Sequence, residues 1–329
     1  MAPSLTRHLI YTVTSDESGM RLDRWIRRHF PHLSQGMLQK HLRKRDIQVE
    51  GKKASADLLL QGAQQVSMYT PLTVTPPTLL SKPTLPAPYT DEMLDQVSKW
   101  ICYEDEDLLA LEKPHGWPTQ GGTGIKHHVL GALEAWFKRK HPQHPQKPLA
   151  VHRLDQETSG LLLVALTPFA ATKLSEAFRN RQVEKTYHAL VLGHFPEEQG
   201  TLDFFLKKTG EKMVALNTPE ENALESKTNY KILKKGDLCQ KNVSVPWSFA
   251  ELSPLTGRTH QLRVHCLAAA GPILGDGKYG GKQAFPLGRQ PLHLHATSLT
   301  FPHPRGKQTT LKCALPSYFG LTLNKLDLV

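Results

Sequence analysis

The strongest constraint on how this chain folds is the stretch VHRLDQETSGLLLVAL, residues 151–166. Six of its last seven residues are Leu, Val or Ala. So continuous an apolar run does not suit a strand with one wet face; it reads as a strand covered on both sides. Directly before it stand His152, Arg153, Asp155, Gln156, Glu157, Thr158 and Ser159, with Gly160 able to make a tight backbone turn. Polar side chains at the lip of a buried strand rest on a rigid support, which is what catalysis requires of its residues. A plain polar loop closing onto a core strand is the competing reading at this point.

A second segment, ELSPLTGRTHQLRVHCLAAAGPILGDGKYG at 251–280, also places basic and polar residues after a strand-like run. Gly257 precedes Arg258, and helical residues then run to a stop at Gly271-Pro272. Together with EKTYHALV at 184–191, these segments resemble the RluA-type pseudouridine synthases, which isomerise uridine in ribosomal and transfer RNA. HRLDxxTSGLLL and GRTHQLRVH carry the resemblance, which spans roughly residues 99–305 with its motifs in the expected order.

The charge fits an RNA partner. Lys and Arg number 41 against 30 Asp and Glu, a formal net charge of +11, and such an excess attracts polyanions without identifying them. The four cysteines, Cys102, Cys239, Cys266 and Cys313, lie far apart, so neither a zinc knuckle nor a disulfide framework is expected. His127-His128 and the His293, His295 pair have no acidic or cysteine cluster beside them and read as surface or packing residues; no metal site is expected. The N-terminus has no long apolar run, so the expected location is the cytoplasm, or an organellar matrix, and not a membrane.

At 329 residues two domains are expected. RLDRWIRRHF places Leu22, Trp25, Ile26 and Phe30 on one helical face, leaving Arg21, Arg24, Arg27 and Arg28 to solvent, and Pro31 ends the helix. Ser34 caps a second helix carrying Met37, Leu38 and Leu42, and a strand at Ile47–Val49 turns through 50–53. Between Arg21 and Lys53 stand ten Lys or Arg and three Asp or Glu, most of the chain's surplus charge. This pattern resembles an S4-type RNA-binding domain, assigned to residues 1–70. Its Arg27, Arg28, Lys40, Arg43, Lys44 and Arg45 are the expected phosphate or minor-groove contacts, the last four of them read as helical. A solvated charged face is the alternative. Residues 71–90 hold six prolines in twenty positions and read as an extended linker.

The remaining residues, 91–329, read as the catalytic domain. Strands are expected at Leu108–Glu112, Val183–Leu192 and near Leu292–Thr300, with helices at His127–Lys138 and near Phe169–Asn180. Strands and helices do not alternate regularly, so the fold class is α+β with a mainly antiparallel sheet, as the resemblance also implies.

Pseudouridine formation breaks the C1′–N1 bond, turns the uracil and rejoins it through C5. A carboxylate suits it, either attacking the sugar or abstracting a proton. The resemblance makes Asp155 the catalytic aspartate, Arg263 its guanidinium partner through a two-point contact, and Tyr187 the active-site tyrosine that stacks on uracil. It also makes Arg153 the arginine that occupies the gap left when the uridine leaves its stack. His152 and Gln156 are expected to shape the loop, Thr158 and Ser159 to satisfy backbone groups at the turn. No cofactor is implied: the glycines at Gly275, Gly277, Gly280 and Gly281 lack the strand–GxGxxG–helix setting of a dinucleotide site. The expected partner is structured RNA, large-subunit ribosomal RNA before transfer RNA. An RNA N-glycosidase, with Glu157 as the one nearby second acid, and a non-catalytic RNA-binding protein are the alternatives.

Overall fold

The computed structural model describes residues 8–69, 72, 89–122, 124–143, 147–240 and 243–326. Contacts divide the chain into two units, Met1–Ala87 and Pro88–Val329. The expected linker at 71–90 lies outside the described residues, except for Leu72, Tyr89 and Thr90.

The N-terminal unit has two short helices, Leu22–His29 and Gln35–Arg43. Beside them is an antiparallel sheet of β1 (His8–Thr12), β4 (Gln65–Tyr69), β2 (Ile47–Val49) and β3 (Lys52–Lys53), in that spatial order. Leu22, Trp25, Ile26 and Phe30 are buried, while Arg24, Arg27 and Arg28 stay exposed, as the helical spacing predicts. Ser34 caps the second helix by accepting from the Met37 N–H at 3.3 Å. Leu38 and Leu42 face the core, one turn apart. Met37, about 100° round the helix from Leu38, does not, and is exposed. The second helix ends sooner than its basic run: Lys44 is its cap and Arg45 lies at φ 64°, so these two residues leave the helix axis.

The same unit buries one carboxylate. Glu17 accepts from the Trp25 indole N–H at 2.7 Å and pairs with His29 Nε2 at 2.6 Å. Burial works to raise its pKa, but the hydrogen bonds from Trp25, His29 and Thr14 outweigh it and bring it to about 2.

In the C-terminal unit one large sheet runs β11, β10, β12, β13, β9, β14, β8, β6, β5, with β15 added beside β14 and β7 beside β8. Its strands are β5 (Ile101–Glu104), β6 (Leu108–Lys113), β7 (Leu149–Ala150), β8 (Ser159–Ala165), β9 (Glu184–Val191), β10 (Gln199–Thr209), β11 (Lys212–Leu216), β12 (Leu224–Gln240), β13 (Val243–Pro254), β14 (Leu294–Pro302) and β15 (Gln308–Lys312). Every pairing is antiparallel except β14 with β8. The α+β class with a mainly antiparallel sheet therefore holds.

The continuous apolar run of β8 now has its reason. Leu162 and Val164 pack beneath helices Asp91–Trp100 and Val129–Lys140. Leu161, Leu163 and Ala165 pack on the opposite side against helix Pro168–Arg179. Both faces are covered from Leu161 to Ala165, so none of those positions is left for a polar residue. Each fully buried leucine contributes about 2 kcal/mol by removal from water.

Gly160 serves a different end from the tight turn that its position suggests. It lies inside β8, at φ 105°, opposite Ala296 of the parallel neighbour. A Cβ there would stand 2.3 Å from the Ala296 carbonyl oxygen, so only glycine lets the two strands meet.

The depressed Glu17 pKa makes a testable statement about acid stability. Its stabilising effect is present above the ordinary glutamate value of 4.5 and is lost as pH falls from there through about 2. The Trp25 indole N–H signal, followed by NMR through that window, should lose its native position. Glu17→Gln should weaken the unit at neutral pH and flatten the acid transition. An unchanged transition in the variant would refute the assignment.

Candidate active site

The turn between Val151 and Thr158 is irregular, so its backbone groups must find partners outside any ladder. They do so in the segment that follows β6. The Thr119 hydroxyl donates to the Leu154 carbonyl at 2.8 Å and accepts from the Leu154 N–H at 3.1 Å. The Gln156 carbonyl accepts from the Gly116 N–H and from Lys113 Nζ, each at 3.0 Å. Lys113 is almost wholly buried and also donates to the carbonyls of Pro114 and Trp117. Burial lowers its pKa to about 7 against the raising charges of Glu157 and Asp155. His115 Nδ1 lies 2.8 Å from the Glu157 carbonyl. Asp155 thus sits on backbone held on both sides.

His152 shapes the loop, as expected. Its Nε2 accepts from the Leu163 N–H at 2.8 Å while its ring stacks on Phe178 at 4.4 Å, and burial lowers its pKa to about 3. Ser159 differs from expectation: its hydroxyl meets side chains, His295 Nδ1 at 2.8 Å and the Tyr318 hydroxyl at 3.0 Å, and not the backbone of the turn. His293 and His295 are buried packing residues, and burial lowers each to about 4.

Asp155 opens into a cleft of 540 Å³ that Arg153, Tyr187 and Arg263 also line. Four further cations, Arg179, Arg181, Lys185 and Arg258, stand around it, and among the described residues Asp155 is its sole acid. None of these four makes an ion pair among the described residues. Arg153 is exposed at the wall. Tyr187 projects from β9, and burial together with the Asp155 charge holds its phenol well above the ordinary range. It therefore stays protonated at neutral pH, a hydrogen-bond donor on an aromatic face.

Arg263 does not make the expected fork with Asp155. Its Nε and Nη2 donate to the two oxygens of Asp276 at 2.7 and 2.6 Å, and both residues are buried. The reason is electrostatic. Asp276 is fully enclosed and must have a cation, whereas Asp155 is partly open to the cleft and shares its cations. Asp155 acts on Arg263 only through space, adding to the rise in its pKa.

The loop leading to Arg263 is fixed by Gln261. Its Oε1 accepts from the Thr256 hydroxyl at 2.7 Å and the Arg258 N–H at 2.9 Å, and its Nε2 donates to the Lys227 carbonyl and Thr228 hydroxyl, each at 3.0 Å. Only an amide offers both an acceptor and donors at one tip. His260, at φ 53°, starts helix Gln261–Ala269 and brings Nε2 within 3.9 Å of Asp155 Oδ2. Thr119, Lys113, His260 and Asp276 were missed by the sequence reading. Asp276 had a signal, an acid between two glycines in a basic segment; the others had none that local pattern supplies.

Removing one partner of the Arg263–Asp276 pair leaves a buried charge. Asp276→Asn should therefore cost about 3 kcal/mol or more of unfolding free energy in denaturant. An unchanged midpoint would mean that the pair is not needed to hold this wall.

Comparison with known proteins agrees with this geometry. Residues 107–268 match the family model described as RNA pseudouridylate synthase. A Rickettsia bellii protein named ribosomal large subunit pseudouridine synthase C is 35% identical over 95% of this chain and 99% of its own length. A protein of that name from Vibrio cholerae is 32% identical over 95% of each chain. Among solved structures, human RNA Pseudouridylate Synthase Domain Containing 4 overlays with a TM-score of 0.58 at 27% identity, covering 72% of this chain and 96% of its own. The strands, the cleft and the relatives converge: the chain belongs to the RNA pseudouridylate synthase family.

Proposed function

We propose that this enzyme isomerises uridines of large-subunit ribosomal RNA to pseudouridine, with Asp155 as the catalytic carboxylate. The observation that carries the role of Asp155 is its setting: among the described residues it is the one acid lining a cleft that Tyr187 and several cations also line. The names of the curated relatives support the ribosomal substrate.

Tyr187 stacks on the uracil and offers its hydroxyl as a donor. Arg153, exposed at the wall, fills the space that the displaced base vacates and holds the neighbouring bases. Arg263, pinned by Asp276, lends its charge to the Asp155 side of the cleft without touching the carboxylate. The unpaired Arg179, Arg181 and Lys185 take the phosphates that enter with the nucleotide. Glu157 lies with Asp155 on an adjoining pocket, but it is paired with His115 at 3.0 Å and does not line the cleft of Tyr187, which argues against a glycosidase.

The N-terminal unit adds affinity through an S4-like basic face. Arg27, Arg28, Lys40, Arg43, Lys44 and Arg45 are exposed. A groove beside them is lined by Arg21, Arg43 and Lys53 together with Asp23 and Asp57. A cytoplasmic or organellar-matrix location follows from the ribosomal substrate; among the described residues no helix is long and apolar enough to cross a membrane.

Two outcomes test this. Asp155→Asn keeps the size and removes the carboxylate, so pseudouridine formation on a large-subunit transcript should fall by about a thousandfold or more, with RNA affinity largely kept. Comparable turnover in the variant would end the assignment. Deleting residues 1–70 should weaken binding and flatten its salt dependence, by a slope of roughly 0.7–0.9 for each phosphate that the truncated protein no longer neutralises, while excess RNA at low salt is still modified. Identical affinities and slopes would make the basic face a merely solvated surface.

A further inference from the structure

We propose that His260 is a positioning residue for Asp155, presenting an Nε2–H to the carboxylate in an orientation that Tyr279 and the Met213 backbone fix. The inference rests on the reading of Asp155 as the catalytic group and names the residue that aims it.

The tautomer follows from a chain of hydrogen bonds. The Met213 N–H donates to the Tyr279 hydroxyl oxygen at 3.2 Å. With one lone pair so occupied, we assign the tyrosine proton to its other neighbour, His260 Nδ1, 2.7 Å away. An imidazole accepting at Nδ1 carries its hydrogen on Nε2. This is the nitrogen that faces Asp155 Oδ2, and the ring's angle is set by edge contact with Tyr279 at 5.5 Å and 84°.

The 3.9 Å separation is too long for a hydrogen bond, and a closure of about 1 Å as the cleft fills would make one. Among the described residues, His260 supplies the one basic side-chain nitrogen within 4.0 Å of the Asp155 carboxylate, since the Arg263 fork is spent on Asp276. The charged groups facing the ring act in opposite senses. Burial lowers its pKa, Asp155 and Asp276 raise it, and Arg263 and Lys278 lower it, the net direction being downward. The ring is therefore a neutral donor at neutral pH and brings no second full charge beside Asp155.

The backbone makes a discriminating test possible. At φ 53° asparagine is more easily accommodated than glutamine, so a purely structural role predicts that His260→Asn outperforms His260→Gln. Positioning through Nε2 predicts the reverse, because a glutamine amide reaches the Nε2 place and an asparagine amide only that of Nδ1. On an unmodified large-subunit transcript under single turnover, His260→Gln should be faster than His260→Asn by about tenfold or more, the scale of rate lost to sub-ångström misplacement. The thermal midpoints should run in the opposite order. Rates that follow the midpoints would overturn the proposal.

A second arm needs no turnover. In the full chain with 15N-labelled histidine, His260 should show the Nε2–H tautomer, and Asp155→Asn should lower its pKa. A Nδ1–H tautomer, or a titration indifferent to Asp155, would overturn the proposal. If the wild-type protein makes no pseudouridine at all, the activity reading falls, and the histidine spectra alone decide whether His260 and Asp155 are coupled.

Discussion

The site depends on holding an irregular turn still. A carboxylate on a loop is aimed only as well as its backbone is fixed, and here the residues on either side of Asp155 are bonded to the end of β6 and the segment just after it. Thr119 closes both backbone groups of Leu154, while Lys113 gathers the carbonyls of Pro114, Trp117 and Gln156. That segment can reach the turn because β6 and β8 are ladder neighbours, from Leu108 opposite Ala165 to Lys113 opposite Gly160. The apolar filling of the sheet thus serves the chemistry: β8 supports the turn at one end, and helices on both faces keep β8 in place.

Charge is divided with similar economy. The cations split into one pinned by a buried partner and several facing the cleft. Arg263 belongs to the first group, and its pairing keeps helix Gln261–Ala269 beside the short turn Gly277–Gly280. The others, from Arg153 to Arg258, lack ion-pair partners among the described residues, a condition that repulsion would make costly without a polyanion to meet. Lys185 already registers that cost, for burial and Arg181 both lower its pKa.

Much of this was legible in the sequence, and the failures have physical reasons. The buried strand after HRLDQETS, the amphipathic helix at Leu22–His29 and the α+β class came from periodicity and from uninterrupted apolar runs. The resemblance marked Arg153, Asp155, Tyr187 and Arg263, which the structure brings to one cleft. Helix Asp91–Trp100 and the long ribbon from Gln199 to Pro254 were not anticipated. The ribbon strands carry charged residues on exposed faces and show no uninterrupted apolar run. The Arg263 partner was misjudged because spacing along a chain says nothing about which of two acids lies deeper. Gly160 read as a turn glycine because the backbone of Ala296, 136 residues away, leaves no trace in the local pattern. His260 escaped for the same cause: its meaning lies in Tyr279 and Met213, partners that only the fold supplies.

The central claim is that Asp155 serves an isomerisation in which uracil leaves N1 and returns through C5. The C5 hydrogen must then be lost to solvent while the base stays on the RNA. The direct measurement uses a large-subunit transcript tritiated at uracil C5, assayed for tritium in water and for free uracil. One tritium should be released for each pseudouridine formed, with no free uracil, and neither event should occur with Asp155→Asn. Free uracil with its tritium retained would contradict that claim and place the chain's chemistry at simple glycosidic cleavage.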